Sequence, residues 1–221
     1  LVRSDRPIKG ALVRWQGTRL STGTDEQGRF HLPSPPPNAL SRLTAWKPGY
    51  FIGSTTADRL TIELHPLPTK DFTDYRWVDP AKGPEGEHHC ANCHGELYAE
   101  WESSAHARSA TGTHFRNLYT GMDVTGTKEA GWGLLKEHPL GAAVCASCHA
   151  PTVRPLDDAL FDLRKAQGVD SKGFHCDFCH KIAGPEDDGE LGLTHGRYGL
   201  KLLRPKKGQL FFGTLDDVDR G

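Results

Sequence analysis

The chain has 221 residues, enough for one or two domains, and its formal net charge of −1 provides no basic face for nucleic acid. Apolar residues make up 36 % and the mean hydropathy is −0.56. That is thin material for a self-packed core, and no apolar run approaches the roughly 20 residues of a membrane helix.

Residues 1–72 contain no cysteine and read as β structure. Ala11-Leu12-Val13-Arg14-Trp15 is predicted as a short strand. Thr22-Gly23-Thr24 leads through Asp25-Glu26-Gln27-Gly28 into Arg29-Phe30-His31-Leu32, a predicted hairpin with turn chemistry at its tip. Leu43-Thr44-Ala45-Trp46 precedes a second turn at Lys47-Pro48-Gly49-Tyr50. Leu60, Ile62 and Leu64 alternate with polar residues and belong on one strand face. Short strands with regular turn signals predict a small all-β sandwich domain. His31 and His65 fall in it and are read as surface residues.

Pro7-Ile8-Lys9-Gly10-Ala11-Leu12-Val13 and Thr24-Asp25-Glu26-Gln27-Gly28-Arg29-Phe30 resemble the carboxypeptidase regulatory-like domain, a transthyretin-like sandwich. The resemblance implies adhesion, scaffolding or assembly, with no catalysis. Such domains usually open with a strand of which Leu1-Val2 would be the remainder, and the chain carries neither an initiator methionine nor a secretory leader. A processed, trimmed or incomplete front end is expected.

A Pro- and Gly-bearing linker runs to Glu87-His88-His89 and opens a second predicted domain, residues 73–221, mainly helical and irregular. It holds Cys90-Ala-Asn-Cys93-His94, Cys145-Ala-Ser-Cys148-His149 and Cys176-Asp-Phe-Cys179-His180. Each reads C-x-x-C-H, the attachment pattern of a c-type haem. On a helical turn the two thiols share a face and reach both vinyl groups of one porphyrin, and the adjacent imidazole reaches the iron. The three copies use all six cysteines of the chain. Three knuckles, each with its own histidine, do not divide into four-ligand zinc sites, a redox dithiol needs one pair, and disulfides leave the histidines without a role. The prediction is three haem c groups, with Cys90, Cys93, Cys145, Cys148, Cys176 and Cys179 as attachment sites. His94, His149 and His180 are the proximal ligands.

Glu96 to Ala107 is predicted as a helix with Leu97, Trp101 and Ala105 on one face and His106 at its end. Residues 111–144 are Gly- and Thr-rich, and their Met122, the only methionine, reads as packing. A packing helix is predicted within 151–168, with Leu156, Ala159, Leu160 and Leu163 on one face and Gly168 as its stop. The first cysteines of the second and third motifs lie 31 residues apart, against 55 for the first and second, which suggests that haems two and three are the close pair. His175 sits too near its own motif to cap that iron but within reach of a neighbour. Arg204-Pro205-Lys206-Lys207 forms a basic patch, read as solvated surface or a propionate partner.

Seven histidines of this half lie outside the motifs: 88, 89, 106, 114, 138, 175 and 195. Distal ligands are drawn from His106, then His195, then His89 or His138. Bis-His ligation without methionine implies low reduction potentials and electron transfer, since a six-coordinate iron leaves no place for substrate. An open haem reducing a small nitrogen oxide, or a subunit of a polymeric extracellular cytochrome filament, are the alternatives. No sequence feature marks a catalytic pocket, so the chain is read as a carrier, not an enzyme.

The stretch from about residue 75 onward resembles multihaem cytochromes c related to the tetrahaem electron acceptor of hydroxylamine oxidation. The matching residues are the first motif with Trp101-x-x-Ser104-Ala105-His106, then Cys145 to Pro151, Cys176 to Ile182, and Phe211-Phe212-Gly213-x-x-Asp216-Asp217. The resemblance implies electron transfer and supports His106 as a distal ligand. Family members commonly carry further motifs beyond that last segment, so a three-haem form and the front of a longer cytochrome are both open. Partners are expected to be redox proteins or further cytochrome subunits, including copies of itself, and covalent haem implies a periplasmic or extracellular location.

Overall fold

The structure is a computed structural model. It describes residues 1–35, 37, 40–59, 61–123, 125–128, 131–141, 145, 148–153, 162–185, 200–213 and 217–220. The chain forms two compact units, one of residues 1–73 with 203–221 and one of residues 74–202.

In the first unit, β1 (Val2–Arg3), β2 (Leu12–Trp15), β3 (Ser21–Gly23), β4 (Arg42–Trp46), β5 (Gly53–Thr56) and β6 (Ile62–Glu63) follow in order. An antiparallel sheet runs β3-β2-β4-β5, with Val13 opposite Thr22 on one side and Ala45 on the other, and β1 pairs in parallel with β6. Alternation decides which faces turn inward. Val13 and Trp15 are buried while Leu12 is exposed, and Ile62 and Leu64 are buried around Glu63. They join Val2, Ile8, Ala11, Leu43 and Ala45 in one apolar core.

The expected turn at residues 25–28 closes, with Asp25 N–H donating to Arg29 O at 2.9 Å and Gly28 N–H to Asp25 O at 3.0 Å, but residues 29–32 add no second strand. The Asp25 carboxylate accepts the Gln27 and Arg29 N–H groups at 2.9 and 2.8 Å, closing a loop that competes with ladder pairing. The Gly28 carbonyl then accepts Val2 N–H at 2.7 Å, so the turn folds onto β1. Beyond it Phe30 and Leu32 pack on the core without strand pairing, and Trp15 Nε1–H donates to Pro33 O at 2.8 Å. Leu60 lies outside the described residues.

The sequence reading carried residues 203–221 with the haem-binding stretch, but they pack within the first unit. Phe211–Phe212 pairs antiparallel with Val218–Asp219, Ile52 N–H donates to Val218 O at 2.7 Å, and Arg14 meets Asp217 at 3.0 Å. Arg204, read as patch surface, is 2 % exposed and makes a forked pair with Asp71. A buried guanidinium needs such a partner, which ties this segment to the end of the β region.

Among the described residues, the second unit forms helical turns at Cys90–Cys93, Leu134–Glu137 and Cys176–Cys179, and helices at Gly95–Ser103 and Thr113–Thr120. Ile182–Pro185 pairs with Leu200–Leu202 across a bulge. Its apolar cluster is small, built from Ala110, Tyr119, Ala150, Val153 and Leu163. Most of the helix expected within 151–168, with Leu156, Ala159 and Leu160, falls outside the described residues. From Leu163 the chain makes two 3₁₀ turns, Leu163–Lys165, where Asp162 accepts Arg164 N–H, and Gly168–Lys172. No helix among the described residues is long and apolar enough to cross a membrane.

Gly28 has φ +68°, and a Cβ there would collide with the Val2 carbonyl oxygen. Gly28→Ala is expected to destabilise this unit by about 3 kcal/mol through backbone strain plus collision. Gly17 has φ +75° and nothing within 4 Å of its Cβ position, so Gly17→Ala should cost only about 1 kcal/mol. Urea unfolding of the two variants, followed by tryptophan fluorescence, measures the contrast.

Candidate functional site

The first attachment turn is held from outside. Ala91 N–H donates to Pro80 O at 3.0 Å, and the Asn92 amide donates to Pro84 O and Glu87 O at 3.1 and 3.0 Å. His94 N–H returns to Cys90 O at 2.8 Å, which closes the turn and brings the imidazole in behind the two thiols. The third turn is built alike: His180 N–H reaches Cys176 O at 3.0 Å, and His175, the residue before the turn, accepts Phe178 N–H at 3.4 Å through Nδ1.

These two turns meet. The neighbouring Cys176 thiol and burial push the Cys90 thiol far up, while Cys90 draws Cys176 down to about 7 against its own burial. Thioether formation abolishes both titrations, and what remains is the proximity of the sulfurs. Around them, Trp101 Nε1–H donates to Phe174 O at 2.6 Å, and Trp77 packs against both His175 and Phe178. Chain separation limits how far two motifs can lie apart, but not which of them touch.

Within the third motif Asp177 and the following Lys181 are fully buried and form an ion pair one helical turn apart. Asp177 Oδ2 also accepts Tyr75 O–H at 3.0 Å and Val78 N–H at 2.9 Å. Burial lowers the pKa of the Lys181 ammonium against the pull of Asp177. This network anchors the 75–78 segment to the attachment turn. It escaped the sequence reading, although the i, i+4 spacing of opposite charges across the motif was its signal.

In the second motif Cys145, Cys148 and His149 are described, and Cys145 packs on the cluster of Ala110 and Tyr119. The His149 ring stacks on Phe115 with centroids 3.6 Å apart. Its Nδ1–H donates to Ser109 O at 2.6 Å. This second residue missed from sequence acts through its backbone, so no side-chain pattern announces it.

The candidate distal ligands are placed unevenly. The helix expected to reach Ala107 ends at Ser103, because Ser104 turns extended and the Ser103 hydroxyl bonds back to Glu100 O at 2.9 Å. His106 therefore sits on a turn, exposed, with its ring 5.8 Å from Phe174. His89 is engaged in its own loop: Nδ1–H donates to Ala81 O at 3.0 Å, Nε2 lies 3.3 Å from a Glu87 carboxylate oxygen, and the ring covers Gly83. His138 ends the Leu134–Glu137 turn and is exposed. His195 lies outside the described residues. His175 is buried, and burial holds its pKa at about 4.

The donor set fits haem c. The six cysteines are free thiols standing in pairs ahead of an imidazole. The Gly95–Ser103 helix buries none of its residues, and Leu97, Leu118, Trp132 and Leu140 stand more than half exposed, apolar area of the kind a porphyrin covers.

Asp177→Asn removes the countercharge of a buried lysine and is expected to destabilise the protein by about 3 kcal/mol. Adding Lys181→Met should recover most of that loss. Thermal melts of the two variants, read against the unsubstituted chain, check both signs.

Residues 89–181, which contain all three motifs, match the family model described as "Cytochrome c554 and c-prime". No curated protein and no solved structure matches the chain. The match supports a c-type cytochrome family for this stretch, with covalently bound haem c, iron as the redox metal and electron transfer as the activity.

Proposed function

We propose that the chain is a three-haem electron-transfer protein, with every iron capped on both faces and no substrate site. The observation that carries this reading is the convergence of the three attachment turns in one compact unit. Trp101, in the helix after the first turn, bonds to Phe174 ahead of the third, and the His106–Ser109 turn bonds to both His149 and Phe174. Haem supplies the one-electron Fe(III)/Fe(II) exchange.

The protein's part is to fix positions. Each cysteine pair would hold one haem by thioether bonds, and His94, His149 and His180 would each ligate an iron. His106, His195, His89 and His138 are the pool for the distal side, His106 first. Rigid turns favour electron transfer because little has to reorganise when charge moves. Imidazole on both faces, with the single Met122 left to packing, sets low potentials. The nearness of the Cys90 and Cys176 sulfurs makes the first and third haems the closest pair.

The β unit serves as a docking or assembly module for a redox partner, in line with its resemblance to regulatory-like domains. The reading carries with it a periplasmic or extracellular location for the mature chain, supported by the match to a c-type cytochrome family, which usually works outside the cytoplasm.

The test is haem stoichiometry. A pyridine haemochrome assay on the purified chain should return three haems per protein, and replacing both cysteines of any one motif by alanine should return two. A wild-type value below three contradicts the reading.

A further inference from the structure

The turn at His106–Ser109 bonds to the second attachment site on one side and to the approach to the third on the other. His149 Nδ1–H donates to Ser109 O at 2.6 Å, and the Ser109 hydroxyl donates back to His149 O at 3.0 Å. A carbonyl can only accept, so this contact fixes the Nδ1–H tautomer and leaves Nε2 as the free nitrogen of the ring. Phe115, stacked within 15° of parallel, restrains rotation of the same imidazole.

The turn is itself held in place. His106 O accepts both Ser109 N–H at 3.2 Å and Phe174 N–H at 3.1 Å. Gly173, at φ +66°, lies so close that a Cβ there would collide with Ser109 Oγ and His106 O. The Ser109 carbonyl therefore has little freedom to move away from the imidazole.

We propose that Ser109 is a positioning residue that orients His149 and holds the potential of the iron His149 binds below the value a freely hydrated imidazole would set. A short Nδ1–H···O=C bond makes the ring a stronger electron donor through Nε2, which favours Fe(III) over Fe(II). The hydroxyl bond to His149 O keeps the two backbones in register so that the bond stays short. The proposal rests on His149 being a proximal ligand.

The test uses the haem-loaded full chain in spectroelectrochemical titration. His149→Met identifies the wave of this haem, because thioether ligation moves it upward. Ser109→Ala should shift that same wave upward, leave the other two in place and leave the haem content unchanged, while Ser109→Thr restores it. Gly173→Ala, which pushes on the turn from behind, should move the same wave. No shift in Ser109→Ala, a shift of a different wave, equal movement of all three, or failure of Ser109→Thr to restore the wave would overturn the proposal. If His149→Met displaces no wave, the proximal assignment itself falls, and the role of Ser109 falls with it.

Discussion

The approach of the first and third attachment turns, tied by Trp101 Nε1–H donating to Phe174 O, is the constraint on which the second unit is arranged. Turns from distant parts of the chain come together in this way only if each is held in place. The surrounding bonds do that: Asn92 with the loop before it, Trp101 to Phe174 O, and Asp177 with Tyr75 and Val78. Most of these are polar and short-range. An ordinary apolar core would not place two turns so closely, because packing tolerates shifts that a set of directed hydrogen bonds does not.

The thin apolar composition has a matching consequence. Among the described residues, the first unit is compact around nine buried core residues, whereas the second has a cluster of five and leaves large apolar side chains exposed. Porphyrin faces are the natural complement to Leu97, Leu118 and Trp132. The buried Asp177–Lys181 pair fits the same scheme. A buried ion pair is a weak source of stability but a demanding geometric condition, and here it fixes the turn that carries Cys176, Cys179 and His180.

Much of this was legible in the sequence, for identifiable reasons. C-x-x-C-H is a local pattern whose geometry follows from helical spacing, so Cys90–His94 and Cys176–His180 fold as read. Alternation around Ile62 and Leu64 is equally local. The turn after β3 forms as read but its second strand does not, because the Asp25 side chain takes the Arg29 N–H that the ladder would pair. The helix toward His106 ends early because Ser103 and Ser104 offer competing bonds. The Cys90–Cys176 contact, the role of Ser109 O and the packing of residues 203–221 with the β strands were not legible at all. Each is a long-range contact with no periodic signature.

Low-temperature electron paramagnetic resonance of the fully oxidised protein tests the central claim most directly. With every iron capped and the first and third haems adjacent, the spectrum should be entirely low-spin, with the first and third irons showing mutual magnetic coupling. A stoichiometric high-spin signal would mean an open iron, and three uncoupled low-spin signals would mean that the haems attached at Cys90 and Cys176 are not neighbours. Either result would contradict the account.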